Sequence, residues 1–234
     1  MIPRLCALAV CAPLLLCAGC SSHPHFSDDD FVASAAKLRP SVVMLSMDVP
    51  AENKADGPDT EFASGTVVSS GKWGSDILTV EHAIEGAWNL RVTVNNKEKV
   101  PAKIVAKDPD LDIALVRTKH PDLPVAKLGN SADAQPGRTI GLVGYPIPDQ
   151  FDDEGLGLAT SLASGRVSSL REDAIEVTLQ IVPGESGSPV FLADTGEIVG
   201  MAESRFDEER SIGFALPIED AKKFLHKHDA QHGL

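Results

Sequence analysis

Two small β-barrels with a cleft between them are the fold this sequence predicts, and three observations predict it. Short apolar runs alternate with polar positions and break at Gly, Pro, Asn and Asp over about 41–118, and again over about 138–217. A stretch at 117–137 holding Pro121, Pro124 and Pro136 reads as a crossing linker between the two regions. Helical spacing is confined to the two ends of the body, so sheet must close on sheet to bury a core.

The elements follow in order. Asp28-Asp29-Asp30 ahead of Phe31 to Leu38 puts acids at the start of a short helix, which Arg39-Pro40 ends. Strands are expected at 41–47, 61–68, 76–80, 89–94, 99–107 and 111–116, with Gly65 where a neighbour comes close. The second region should place strands at 139–146, around 163–167, at 174–181, 189–192, 197–201 and 211–217. Residues 149–157 read as an acidic surface loop and 206–210 as a charged turn. Ile218, Ala221, Phe224 and Leu225 repeat on one face of a terminal helix. His226, His228 and His232 belong to its polar tail.

At 234 residues the chain is long enough for a real core. Only 5% of it is aromatic, so aliphatic side chains must supply most of that core. A net charge of −13 argues against nucleic acid as a partner, because phosphate binding needs basic patches. The four cysteines, Cys6, Cys11, Cys17 and Cys20, all lie in the first twenty residues. The body therefore has no disulfide or cysteine-ligated zinc to staple it. Neither a metal nor an organic cofactor is implied; His23 and His25 lack a third ligand.

Residues 1–19 have a secretory layout, with Arg4 ahead of an apolar stretch too short to span a bilayer comfortably. The end of this leader, Leu16-Cys17-Ala18-Gly19-Cys20, resembles a bacterial lipoprotein box, although Cys17 stands where that box prefers Leu. The resemblance implies lipidation at Cys20 and membrane attachment through a polar tether at 20–29.

The chemistry centres on Gly184-Glu185-Ser186-Gly187-Ser188-Pro189. Glycines around one serine let the backbone fold sharply and turn its N–H groups toward the point where an oxyanion would form. Ser186 then needs a base. His82 follows a predicted strand, and imidazole takes and returns protons near neutrality. Asp112, in Leu111-Asp112-Ile113-Ala114-Leu115, is the candidate to orient it. Each has a bland reading when taken alone: a satisfied loop histidine, an outward strand carboxylate.

The order His82, Asp112, Ser186 matches the serine-protease template. With Ser64-Gly65-Thr66-Val67-Val68, Ile77-Leu78-Thr79-Val80-Glu81-His82, Asp112-Ile113-Ala114-Leu115 and Pro183 to Pro189, the chain resembles the trypsin-like protease domain of the HtrA family over about 30–225. Pro40-Ser41-Val42-Val43 and Ile212-Gly213-Phe214-Ala215-Leu216-Pro217 add to the resemblance. It implies an all-β fold of two antiparallel six-stranded β-barrels of the chymotrypsin-like type, with residues 218–234 as C-terminal helix and tail.

It also implies a serine endopeptidase of the bacterial cell envelope, acting on unfolded or damaged proteins through a His-Asp-Ser triad and facing the periplasm. The same resemblance assigns the oxyanion hole to the N–H groups of Gly184, Glu185 and Ser186. It assigns substrate-strand pairing to Val199, Gly200 and Met201; the apolar residues there and the lack of an acid at Gln180 suggest a small aliphatic residue at the cleavage site. It allows a homo-oligomer. Two departures stand out, Glu81 at a position usually small and Ser188 in place of a glycine, and the chain is expected to be a protease domain without the PDZ domain that many relatives carry.

Three other readings compete. A Gly-x-Ser-x-Gly hydrolase elbow is broken by Ser188 and lacks a helix after the serine. A protease-like binding or chaperone lipoprotein without turnover is kept open by Glu81, which would disturb His82 if buried. A purely structural envelope lipoprotein requires the three residues to lie far apart.

Overall fold

A computed structural model describes residues 27–51, 57–203 and 212–232. The leader, Cys20 and the expected turn at 206–210 lie outside the described residues.

Helix α1 (Asp28–Leu38) starts on a capping box, with Ser27 Oγ accepting from the Asp30 N–H and the Asp30 carboxylate accepting from the Ser27 N–H. Strands β1 (Val42–Val49), β2 (Asp59–Gly71), β3 (Gly74–Thr79), β4 (Trp88–Val94), β5 (Glu98–Asp108) and β6 (Ile113–Thr118) close a barrel in the order β1-β2-β3-β6-β5-β4. Strands β7 (Thr139–Gly144), β8 (Ser161–Leu170), β9 (Ile175–Val177), β10 (Pro189–Leu192), β11 (Ile198–Glu203) and β12 (Gly213–Pro217) close a second, ordered β10-β11-β12-β9-β8-β7. Every pairing within both barrels is antiparallel. The predicted fold class is therefore the observed one.

Period-two alternation explains the cores. On β1, Val43, Leu45 and Met47 point into the first barrel against Val67, Ile77, Val92 and Val116. Val42 and Met44 point the other way, into a cluster between the barrels. That cluster adds Leu78, Ile113 and Leu115 from one barrel and Val143, Phe191 and Met201 from the other. Helix α3 (Ile218–His232) seals it with Ile218, Ala221 and Phe224, the face its spacing predicts. Phe31 of α1 stacks on Phe191, with ring centroids 5.8 Å apart. Gly65 is a true close approach, since a Cβ there would lie 2.4 Å from the Ile77 side chain.

Three expectations change. The acidic stretch after Pro148 is a six-residue helix, α2 (Pro148–Asp153), that starts on its proline and shows no apolar periodicity. Strand β9 is three residues long, shorter than the apolar run at 174–181, because at Thr178 the side-chain hydroxyl and not the backbone carbonyl accepts the Arg166 N–H of β8. Strand β6 starts at Ile113, so Asp112 precedes it.

Candidate active site

His82 opens a single 3-10 turn, His82–Ile84, directly after β3. Asp112 stands just before β6, the antiparallel partner of β3. Its backbone is left-handed, with φ 52°, a conformation that Asp tolerates better than most residues. This turn sends the carboxylate back across the strand pair. One oxygen accepts the His82 backbone N–H at 2.8 Å, and the other binds His82 Nδ1 at 2.7 Å. The Glu81 N–H donates to the Asp112 carbonyl at 3.2 Å, tying the two segments together again.

An Nδ1–H donated to Asp112 leaves Nε2 as a lone-pair acceptor, the tautomer a general base requires. Bonding to Asp112 is the main cause that raises the His82 pKa, against the opposing effect of burial. The charges of Asp112, Glu203 and Glu81 raise it further. The stability this adds is present below the ordinary value of 6.5 and is lost as pH rises through the raised one.

Glu81 is buried, yet it does not bind His82. Lys107 on β5 donates to its carboxylate at 2.6 Å, which supplies the counter-charge that burial demands. Among the described residues, the His82 side chain is hydrogen-bonded through Asp112, and no hydrogen bond joins Nε2 to Ser186 Oγ.

The Ser186 turn is held by barrel one. Ser64 on β2 donates its N–H to the Ser186 carbonyl at 2.9 Å. Its hydroxyl donates to the Gly184 carbonyl at 2.8 Å and accepts the Tyr145 N–H at 3.0 Å. Its carbonyl accepts from the Thr79 hydroxyl, three residues before His82, at 2.8 Å. One fully buried serine thus links the Ser186 turn to the strand that leads to His82.

Both flanking glycines are required. Gly184 has φ +91°, and a Cβ there would lie 2.3 Å from the Tyr145 carbonyl. Gly187 has φ +87°, and a Cβ would lie 2.2 Å from the Ser64 carbonyl. Ser188 is fully buried and its hydroxyl has no hydrogen-bond partner among the described residues.

Two expected assignments are corrected. The Glu185 N–H donates to the Val182 carbonyl at 3.0 Å, so it is committed to the turn and not to an oxyanion. The N–H groups of Gly184 and Ser186 make no hydrogen bond among the described residues. Glu185 instead acts through its side chain, which accepts the Val182 N–H at 3.0 Å. Burial raises its pKa against that bond, so the fold loses stability as pH rises from 4.5 through the raised value.

The segment Val199-Gly200-Met201 is not a free edge for a substrate strand. Gly200 and Met201 pair with Pro217 and Leu216 on one side and with Val190 and Pro189 on the other.

Ser64, Lys107 and Glu203 were not singled out from sequence. Glu203 ends β11, is buried, and its charge reaches His82. Its one sequence signal is a carboxylate closing the apolar run 198–202. For Ser64, replacement by Ala strips two buried backbone groups of their partner, at about 1–3 kcal/mol each. Ser64→Ala is expected to lower kcat roughly tenfold to a hundredfold while the protein still folds. Turnover of a peptide substrate beside a thermal melt checks this, and unchanged kcat removes Ser64 from the machinery. Among the described residues, no group of His, Cys, Asp and Glu is arranged to hold a metal ion.

Comparison with known proteins bears on the family and the fold. The family model of the trypsin-like peptidase domain matches residues 63–201. The serine protease Do-like HtrA of Bacillus subtilis is 31% identical over 182 residues, covering 70% of this chain and 39% of that protein. A DegP-like periplasmic serine endoprotease of Marinomonas sp. is 29% identical over 164 residues, covering 69% of this chain and 34% of that protein. The chain thus spans between a third and two fifths of the length of these relatives. Among solved structures, an HtrA-type protease AlgW with tripeptide superposes with a TM-score of 0.70 at 23% identity, over 87% of this chain and 64% of the other. The two barrels, the ordered motifs and the family match together establish that the chain belongs to the trypsin-like peptidase domain family, and these relatives are HtrA-type proteases.

Proposed function

We propose that this chain is a serine endopeptidase of the bacterial cell envelope that cleaves unfolded or damaged polypeptides through an acyl-enzyme. The observation that carries this reading is the two-point hold of Asp112 on His82, which leaves Nε2 free to act as a base. In this reading His82 Nε2 takes the proton of Ser186 as its Oγ attacks the peptide carbonyl. Asp112 stabilises the imidazolium, and the Gly184 and Ser186 N–H groups receive the oxyanion. His82 then returns its proton to the leaving amine, and water resolves the acyl-enzyme by the same route in reverse. Unfolded casein is the test substrate. Cleavage by the wild type and none by Ser186→Ala is expected; equal cleavage by both ends the proposal.

The periplasm is the proposed compartment, supported by the leader at 1–19 and by relatives described as periplasmic. Lipidation at Cys20 is the proposed means of attachment. Metabolic labelling with a palmitate analogue is expected to mark the wild type and to spare Cys20→Ala; undiminished label on that variant refutes the anchor.

A binding or chaperone role without turnover is the second reading, favoured by the unmade bond between His82 Nε2 and Ser186 Oγ. Catalytic hydrogen bonds of this kind tighten when substrate binds, so the triad reading is preferred.

A further inference from the structure

We propose that the β2–β3 turn and the groove beside it form a docking site for an anionic phospholipid surface. The site lies at the end of barrel one remote from His82. On β3 and β6, Thr79 pairs with Ala114 at the end carrying His82 and Asp112, while Ser75 pairs with Thr118 at the opposite end. Four residues of strand separate these two pairs by roughly 13 Å. Trp73 sits in the turn between β2 and β3 and is 83% exposed, with Lys72 Nζ 5.0 Å from its ring centroid. A groove of about 780 Å³ runs beside it, lined among others by Val100, Ala102, Lys103, Lys119 and His120.

The charge on this face opposes that of the chain. Lys103, Arg117 and Lys119 line the groove and Lys72 stands beside Trp73, while Glu98 is the carboxylate in that lining. Arg117 is bound to Asp76, and His120 Nε2 lies 3.9 Å from Glu98. The ammonium groups of Lys103 and Lys119 make no hydrogen bond or ion pair among the described residues. A protein with a net charge of −13 is repelled by anionic lipid unless one face is locally basic.

An indole beside lysines suits the lipid–water interface, where the ring is half-buried and the ammonium groups meet phosphates. Trp73 stands on a turn with most of its surface in solvent, which presents it to a plane. Each lysine at such a surface contributes about fivefold in affinity. The proposal rests on the envelope location proposed above, but neither on the lipid anchor nor on catalysis.

The test uses the full chain carrying Trp88→Phe, which leaves Trp73 as its single tryptophan. Its fluorescence is read on vesicles of brominated phosphatidylcholine, with and without brominated phosphatidylglycerol. A blue shift and bromine quenching only on the anionic vesicles are expected. Lys103→Glu with Lys119→Glu should lower the docked-to-undocked ratio by about 25-fold or more, with casein cleavage in solution unchanged. If Trp88→Phe fails to fold, the difference between wild type and Trp73→Phe gives the same reading.

Equal quenching on both vesicle types overturns the proposal, as does no quenching on either. So does protection of Trp73 by an acidic peptide but not by anionic vesicles. Because casein cleavage is read separately, failure of docking and failure of catalysis are distinguishable.

Discussion

Replacing Asp112 by Asn lowers kcat by about 10⁴-fold. The carboxylate of Asp112 now accepts from both the backbone N–H and Nδ1 of His82. An amide oxygen can keep the first bond, but the amide NH₂ turned toward Nδ1 donates instead of accepting. The imidazole then carries its proton on Nε2 and cannot take one from Ser186. The fold should survive, because Asp112 is half-buried at a strand end and its Asn replacement tolerates the same left-handed backbone. The pH profile separates this from general damage. In the wild type the acid limb of kcat/KM lies above the ordinary histidine value, since Asp112 raises the His82 pKa. In Asp112→Asn that limb moves to lower pH. Glu203 and Glu81, whose charges also raise the pKa, stay in place and limit the shift. A profile that keeps its limb, or a kcat within tenfold of wild type, contradicts the assignment.

Gly187→Ala should be nearly as damaging for a different reason. The backbone at Gly187 has φ +87°, which costs an L side chain roughly 1–2 kcal/mol. The added methyl would also meet the Ser64 carbonyl at 2.2 Å and the Thr79 hydroxyl at 2.4 Å. Neither can withdraw cheaply, because Thr79 donates to that same carbonyl and Ser64 holds Ser186. The turn must move instead. A displacement near 1 Å at a nucleophile costs about a hundredfold in rate, and losing the Ser64–Ser186 bond adds to it. The Gly187 N–H, bonded to the Ala202 carbonyl at 2.9 Å, strains with it. A hundredfold or larger fall in kcat with a lowered melting temperature is expected from parallel kinetic and thermal measurements. Wild-type kcat in this variant would show that the turn is not the nucleophile's seat.

How far the site can be read from the sequence depends on whether a constraint is local. The Ser186 turn is legible because sharp backbone geometry demands Gly184 and Gly187 within four residues of chain. His82 and Asp112 are legible because each interrupts or ends an apolar strand run. Ser64 is not, since its partner Ser186 is 122 positions away and meets it only when the barrels close. Glu81 shows the same limit. Its identity is plain in sequence, but its direction depends on barrel closure. The Glu81 N–H bonds to Asp112, the residue before β6, and the pairing of β6 with β5 brings Lys107 alongside.

The misplaced substrate strand has another cause. Val199-Gly200-Met201 is apolar and regular, and that pattern does not distinguish a strand paired on both sides from an edge. The same holds for Asp112, where the run Leu111-Asp112-Ile113-Ala114 reads as one strand although the backbone turns left-handed before β6 begins. The α2 helix escaped because six residues starting on Pro148 carry no periodic face.

If Ser186 is the activated nucleophile proposed here, a fluorophosphonate probe will find it. The folded protein should take a single adduct on Ser186. Labelling should vanish in Ser186→Ala and fall steeply in His82→Ala. Folded wild-type protein that takes no label on Ser186, while unfolded casein stays intact, would rule out Ser186 as the nucleophile.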